Sequence, residues 1–194
     1  MNKSILIMLV VIAVIIMSFT GCYNGFVNKQ EAANEALANV QATYQRRADL
    51  IPNLVEVVKG YAKHESQTLE NVIAARAKAT QITINADNLT SEKIAEYQKA
   101  QGELSSALGK LMAIAEAYPD LKASKNFSDL QVQLEGTENR INEARQKYNK
   151  AVKSYNTSIR SFPGAMIASS FGFEKMEMFE ADETAKEAPK VDFQ

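Results

Sequence analysis

The side chains able to do chemistry are few and widely spaced. His64 is the only histidine and Cys22 the only cysteine in 194 residues. One histidine supplies neither a His-based metal site nor a multi-histidine relay. His64, within Tyr61-Ala-Lys-His-Glu65, therefore reads as a solvated or hydrogen-bonded side chain on the second helix. Cys22 lies in an apolar N-terminal stretch, out of reach of any folded domain as a nucleophile, and a lone cysteine excludes an internal disulfide framework. Carboxylates are plentiful (Glu56, Glu65, Glu70, Glu103, Glu116, Glu135, Glu138, Glu143), but acids scattered on helices belong to solvated faces. A carboxylate metal cluster in a helix bundle needs inward-facing Glu with Glu-x-x-His pairs on two helices, which a single histidine forbids. Gly102 and Gly109-Lys110 hint at a phosphate loop, yet the spacing is too long, Leu111 stands where Ser or Thr is needed, and the stretch is helical. The residues thus assign no catalytic, cofactor-binding or metal site, and no small-molecule substrate. Asn88-Leu-Thr, Asn126-Phe-Ser and Asn156-Thr-Ser match the glycosylation pattern, which carries little meaning in a bacterium.

The densest polar stretch is Tyr44-Gln-Arg-Arg-Ala-Asp-Leu-Ile-Pro-Asn-Leu-Val55. Arg46, Arg47, Asp49 and Asn53 crowd what reads as a helix junction. They either tie that junction together through caps and ion pairs or present an interaction surface to a partner.

The elements that must position these residues are helices. Only eight Gly and four Pro accompany 46% apolar residues, too few turn formers for a sheet protein, while Ala, Glu, Lys, Gln, Asn and Leu recur and favour helix. The length suits one compact domain plus an anchor, and no repeat of 20–50 residues stands out. Charges nearly cancel, at 22 basic against 23 acidic. With no Lys/Arg cluster there is no electrostatic footprint for nucleic acid.

Residues 1–25 read as a membrane anchor. Met1-Asn2-Lys3 is a short basic start, the run from Ile5 to Phe19 is apolar but for Ser18, and no charge appears between Lys3 and Lys29. A charge at the bilayer centre costs about 2.5–3.5 kcal/mol on insertion scales, and a core helix would show a polar face. Two mechanisms fit. A transmembrane helix needs about 20 mainly apolar residues, which Ile5 to Phe26 provides. Alternatively, Phe19-Thr20-Gly21-Cys22 resembles a lipobox, with Cys22 cleaved to the N-terminus and acylated. Both place Lys3 on the cytoplasmic side and the body outside it.

Residues 26–160 predict an all-α, antiparallel up-and-down four-helix bundle. Apolar residues recur at alternating three and four spacing through Val27, Leu37, Val40 and Tyr44; Val55, Val58, Ala62, Leu69, Val72 and Ala79; Ile94, Tyr97, Leu104, Leu108, Leu111, Ala115 and Tyr118; and Phe127, Leu130, Leu134, Ile141, Tyr148, Val152, Tyr155 and Ile159. Such seams mark near-parallel helix packing. Asp49 can cap a helix that carries Pro52 in its first turn, with a kinked continuous helix as the alternative. Asn85 to Ser91 breaks the pattern, with Thr90 or Ser91 as the next cap. Pro119-Asp120 ends the third helix, and Asn126 with Asp129 can cap the fourth. Each helix would be about 40–50 Å long.

If the first helix leaves the membrane, the fourth returns to it. The segment 161–180 therefore starts near the bilayer and is too apolar for a solvated tail. It is either an extended strap on the bundle or, through Met166, Ile167, Phe171 and Phe173, a contact with lipid or a membrane partner. Residues 181–194 are polar and expected to be loose.

Arg46-Arg-Ala-Asp-Leu-Ile-Pro-Asn-Leu-Val55, continuing to Val58-Lys-Gly-Tyr-Ala-Lys-His-Glu65 and Ala74-Ala-Arg-Ala77, resembles the signature of the LemA family. Tyr23-Asn24 resembles that family's opening, and Tyr155-Asn156, Phe162-Pro-Gly-Ala, Phe171-Gly-Phe and Phe179 resemble its ending. The resemblance implies a membrane-anchored bacterial protein with a bundle body of mirror-variant up-and-down topology and membrane-associated assembly roles in some members. It brings no established catalytic residues. Together these readings point to a non-enzymatic envelope protein, with no cofactor, acting on unknown protein partners or on the membrane. The alternative is an accessory module of a membrane protease or envelope-stress complex.

Overall fold

A computed structural model describes residues 3–85 and 89–180, so the polar tail expected over 181–194 and Asn88 lie outside the described residues. Among the described residues the chain is all-helical: α1 (Lys3–Tyr61), α2 (Ser66–Gln81), α3 (Ser91–Ala115), α4 (Pro119–Lys122), α5 (Lys125–Arg160) and α6 (Gly164–Phe171).

α1 runs 59 residues without interruption, about 88 Å at 1.5 Å per residue. Its first part, Lys3 to Gly21, is exposed along its whole length, and it is long and apolar enough to cross a membrane. From Phe26 onward the same helix turns a buried stripe (Ala33, Leu37, Val40, Tyr44, Ala48, Ile51, Leu54, Val55, Val58) toward the body.

No helix starts at Asp49; α1 is continuous through Pro52. An interior proline leaves the carbonyl four residues earlier without its N–H donor, here Ala48. The Arg76 guanidinium of α2 fills that vacancy, its Nε donating to the Ala48 carbonyl at 2.7 Å. The helix break falls instead at 62–65, which puts His64 in an exposed turn rather than on a helix.

The partners across the seams give the directions. Phe26 clusters with Tyr155 and Ile159, while Arg47 meets Glu138, so α5 runs opposite to α1. Lys78 pairs with Glu103 at 2.7 Å and the Tyr118 hydroxyl donates to Glu65 at 3.1 Å, so α3 runs opposite to α2. Thr90 caps α3, accepting from the Lys93 amide at 3.3 Å. The α5 cap position is Ser124, with no side-chain cap bond, so Asn126 and Asp129 lie inside the helix.

The core forms three clusters. At the far end Ile51, Leu54 and Val58 pack with Leu69, Val72, Leu104, Leu111, Leu121 and Phe127. In the middle Leu37, Val40 and Tyr44 meet Ile84, Ile94, Tyr97, Ile141, Tyr148, Val152 and Phe179. Next to the exposed part of α1, Phe26, Tyr155 and Ile159 pack with Ile167 and Ala168. Here α2 and α3 have ended, and the C-terminal segment completes the core in their place.

Candidate functional site

At the apolar end of the body, α6 is folded tightly back on α1. Gly164 permits this: a Cβ there would lie 2.5 Å from the Ser158 carbonyl oxygen and 2.9 Å from Phe26 Cζ, closer than side chains pack. Gly172 (φ 73°) closes the helix in the left-handed conformation that favours glycine. The aromatic rings then interlock edge to face. Phe171 lies 5.7 Å from Phe19 and 5.2 Å from Tyr23, and Phe173 lies 5.4 Å from Tyr23 and 5.3 Å from Phe26.

Of the residues expected to touch lipid, Met166 and Phe171 are 66% and 53% exposed, whereas Ile167 is 6% exposed and belongs to the core. Phe173 is partly buried beneath Tyr23 and Phe26. Phe162, absent from that expectation, is 84% exposed in the turn before α6; its place in the same uncharged stretch was the available signal. Cys22 is partly buried against the cluster of Phe26, Ile167 and Ala168.

Beyond Gly172 the chain is extended, not helical, and α5 grips it in two matched rungs. The Tyr155 hydroxyl donates to the Glu174 carbonyl at 3.0 Å, and Asn156 holds both backbone groups of Met176, at 2.8 and 2.9 Å. One heptad earlier on α5, the Tyr148 hydroxyl donates to the Glu177 carbonyl at 2.8 Å, and Asn149 holds both backbone groups of Phe179, at 2.8 and 2.9 Å. The spacing is geometric: seven helical residues rise about 10.5 Å, and three extended residues span about 10 Å. The repeated dipeptides Tyr148-Asn149 and Tyr155-Asn156 carried that signal in the sequence. Asn156 is buried, so its glycosylation pattern is idle. Burial, and then the Glu177 and Glu174 carboxylates, push the Tyr148 and Tyr155 phenols up, so both remain hydroxyl donors.

The polar stretch of α1 divides into two faces. Arg46, Asp49 and Asn53 are exposed, at positions that share one side of the helix, and Asp49 accepts from Gln45 at 2.7 Å. Arg47 faces inward, only 2% exposed, and contributes nothing to a surface. Its Nη1 donates to Ser105 Oγ at 2.7 Å and to Glu138 Oε2 at 2.9 Å. Its Nη2 donates to the Gln101 side chain at 2.6 Å and to its carbonyl at 3.2 Å. The guanidinium carbon sits 5.2 Å from the Tyr44 ring centre, and Tyr44 stacks edge to face on Tyr97 at 5.2 Å. A pocket of about 280 Å³ opens beside this network between α3 and α5, lined by Arg47, Ser105, Met112 and Leu134 among others. The sequence carried no signal for Ser105 or Gln101, which sit on a helix whose apolar seam says nothing of a buried cation opposite.

Similar sequences cover most of this chain. The family model described as LemA family matches residues 36–193. Magnetosome protein MamQ of Magnetospirillum gryphiswaldense is 25% identical over 81% of this chain and 64% of its own length. Protein LemA of Metamycoplasma hominis is 25% identical over 92% of this chain and 78% of its own, and Magnetosome protein MamQ 2 of Paramagnetospirillum magneticum is 25% identical over 81% and 64%. The chain thus spans a little under two thirds of the magnetosome proteins' length. The matched region takes in the buried Arg47, the Pro52–Arg76 pairing and the clasped C-terminal segment, and on that match the chain belongs to the LemA family.

Proposed function

We propose that this LemA-family chain is a non-enzymatic, membrane-anchored protein of the bacterial envelope. Its body would be an up-and-down four-helix bundle working through protein–protein or protein–membrane contacts. The observation that carries this reading is the continuity of α1. One unbroken helix passes from a wholly exposed apolar segment into the buried seam of the body; among the described residues nothing buries that segment, and a bilayer would. Lys3 as the charge kept on the cytoplasmic side puts the body on the opposite face. Between a span and an acylated Cys22, the ring contacts support the span. Phe19 and Tyr23 flank Cys22 and both meet Phe171, and cleavage before Cys22 would remove Phe19. The exposed Arg46, Asp49 and Asn53 offer a polar face on α1 for a protein partner.

Alkaline extraction of membranes from expressing cells tests the anchor. The full chain should stay in the pellet and a variant lacking residues 4–24 should enter the supernatant; a soluble full chain would overturn the reading. Globomycin-sensitive processing, with palmitate labelling lost in Cys22→Ala, would replace the span by a lipid anchor. Protease added outside intact spheroplasts should degrade the body, and a protected body would reverse the orientation. Crosslinking in intact cells should recover a specific partner that is lost when Arg46, Asp49 and Asn53 are substituted together.

A further inference from the structure

We propose that α6 sits in the membrane interface beside α1, with Phe162, Met166 and Phe171 turned to the boundary region of headgroups and acyl chains. This rests on the anchoring of α1 proposed above and deepens it. From Ser161 to Phe173 the chain carries no charge. The outward side of α6 presents Ala165, Met166, Ser169 and Ser170, and Phe162 is exposed in the turn just before it, while Gly164, Ile167 and Ala168 turn inward onto Phe26, Tyr155 and Ile159. An eight-residue helix with no charge of its own and its largest side chains in the open lacks a reason to be water-facing.

Lipid is the occupant because of where α6 is held. Phe171 is in ring contact with Phe19, the last residue of the apolar run of α1, and with Tyr23 one turn further on. Tyr at that position suits the aromatic belt at a membrane interface. If Ile5 to Phe19 is in the bilayer, Phe171 is at the depth where α1 leaves it. The rest of α6 leads back along α1 from that point, its other end at Gly164 lying against Phe26, so the short helix lines the stretch of α1 that passes through the interface. An acylated Cys22 would put lipid at the same place, since Cys22 packs in the cluster of Ile167 and Ala168 and acyl chains on it would emerge beside α6. With α1 and α6 both engaged, the body is held in one orientation instead of swinging on a single helix.

The chain contains no tryptophan, so single tryptophans report without background. The full chain is reconstituted in phosphatidylcholine–phosphatidylglycerol vesicles as Phe162→Trp, Met166→Trp and, as a control, Val132→Trp, which sits on an exposed site of α5 about 40 Å along the helix from Ile159. Emission from positions 162 and 166 should shift to the blue and be quenched by lipids brominated in the upper acyl chain, at the 5–10 Å depth of interfacial helices. Position 132 should show neither effect. Chain that floats with the vesicles while positions 162 and 166 behave like 132 overturns the proposal and leaves the anchor standing. Blue-shifted emission without bromolipid quenching means a protein, such as a second copy, covers α6, and also overturns it. Chain that fails to float removes the anchor and the proposal together. Helical content equal to the parent chain by circular dichroism confirms that each variant is folded.

Discussion

Arg47 carries a permanent charge into the interior, and its worth lies in shape as well as sign. Two nitrogens reach Ser105, Glu138 and both oxygens of Gln101 at once, joining α1, α3 and α5 through one side chain. A lysine cannot reproduce that fork. Arg47→Lys should therefore lower the unfolding free energy of the detergent-solubilised chain by about 1–3 kcal/mol. Glu138→Gln, which keeps an acceptor facing Nη1 at a half-exposed position, should lose less. A second residue-scale expectation concerns alkali. Burial, then the neighbouring Tyr44, push the Tyr97 phenol up. An unfolded tyrosine releases its proton near pH 10, where buried Tyr97 still holds its own. Above that pH the unfolded chain binds fewer protons, so stability falls as pH rises; below it both states are protonated and the term is constant. Tyr97→Phe, which keeps the ring against Tyr44, should make the fall above about pH 10 shallower in urea titrations.

At the scale of elements, the arginine–proline pairing between α2 and α1 explains why a 59-residue helix survives an interior proline. Arg76 substitutes for the missing backbone donor, and Ala48 is itself buried, so water cannot take over the task. Arg76→Met should cost about 1–3 kcal/mol, the range for a buried acceptor left unpaired. In a Pro52→Ala background the restored N–H can reach the Ala48 carbonyl, and the same substitution should cost distinctly less. Equal costs in both backgrounds of this double-mutant cycle would show that Arg76 serves another purpose. Because helix 1 is continuous here, the body is attached to the apolar segment without a joint, and any tilt of one is imposed on the other.

For the whole molecule, the two Tyr-Asn rungs decide whether the C-terminal segment completes the core. Asn149→Ala with Asn156→Ala removes four hydrogen bonds to the backbone of Met176 and Phe179. Cleavage by a glutamate-specific protease at Glu174, Glu177 and Glu180 should speed up several-fold, while far-ultraviolet circular dichroism changes little, since the clasped residues are not helical. An unchanged cleavage rate would mean that the tyrosine hydroxyls and Phe179, packed on Tyr148, hold the segment without the asparagines.

What the amino-acid sequence determined by itself was helix and polarity. The seams from Leu37 to Tyr44, Ile94 to Ala115 and Leu134 to Ile159 announce their buried faces because a 3.6-residue period selects one stripe of the helix. The uncharged run after Lys3 announces a segment unsuited to water, and the signature from Arg46 to Val55 announces the family. Only the tertiary structure decided how that signature is used. Pro52 reads as a helix boundary because the local rule counts a lost hydrogen bond; it is not one, because Arg76 supplies that bond to the Ala48 carbonyl from 28 residues away in the chain. Arg47 reads as either a tie across a junction or a surface charge, and the local sequence leaves both open; it is interior because acceptors from α3 and α5 converge on it. Ile167 and Met166 are adjacent and both apolar, and nothing local tells which faces the core and which faces out. That choice belongs to Phe26, Ile159 and the close approach of Gly164, contacts that exist only once the chain has folded.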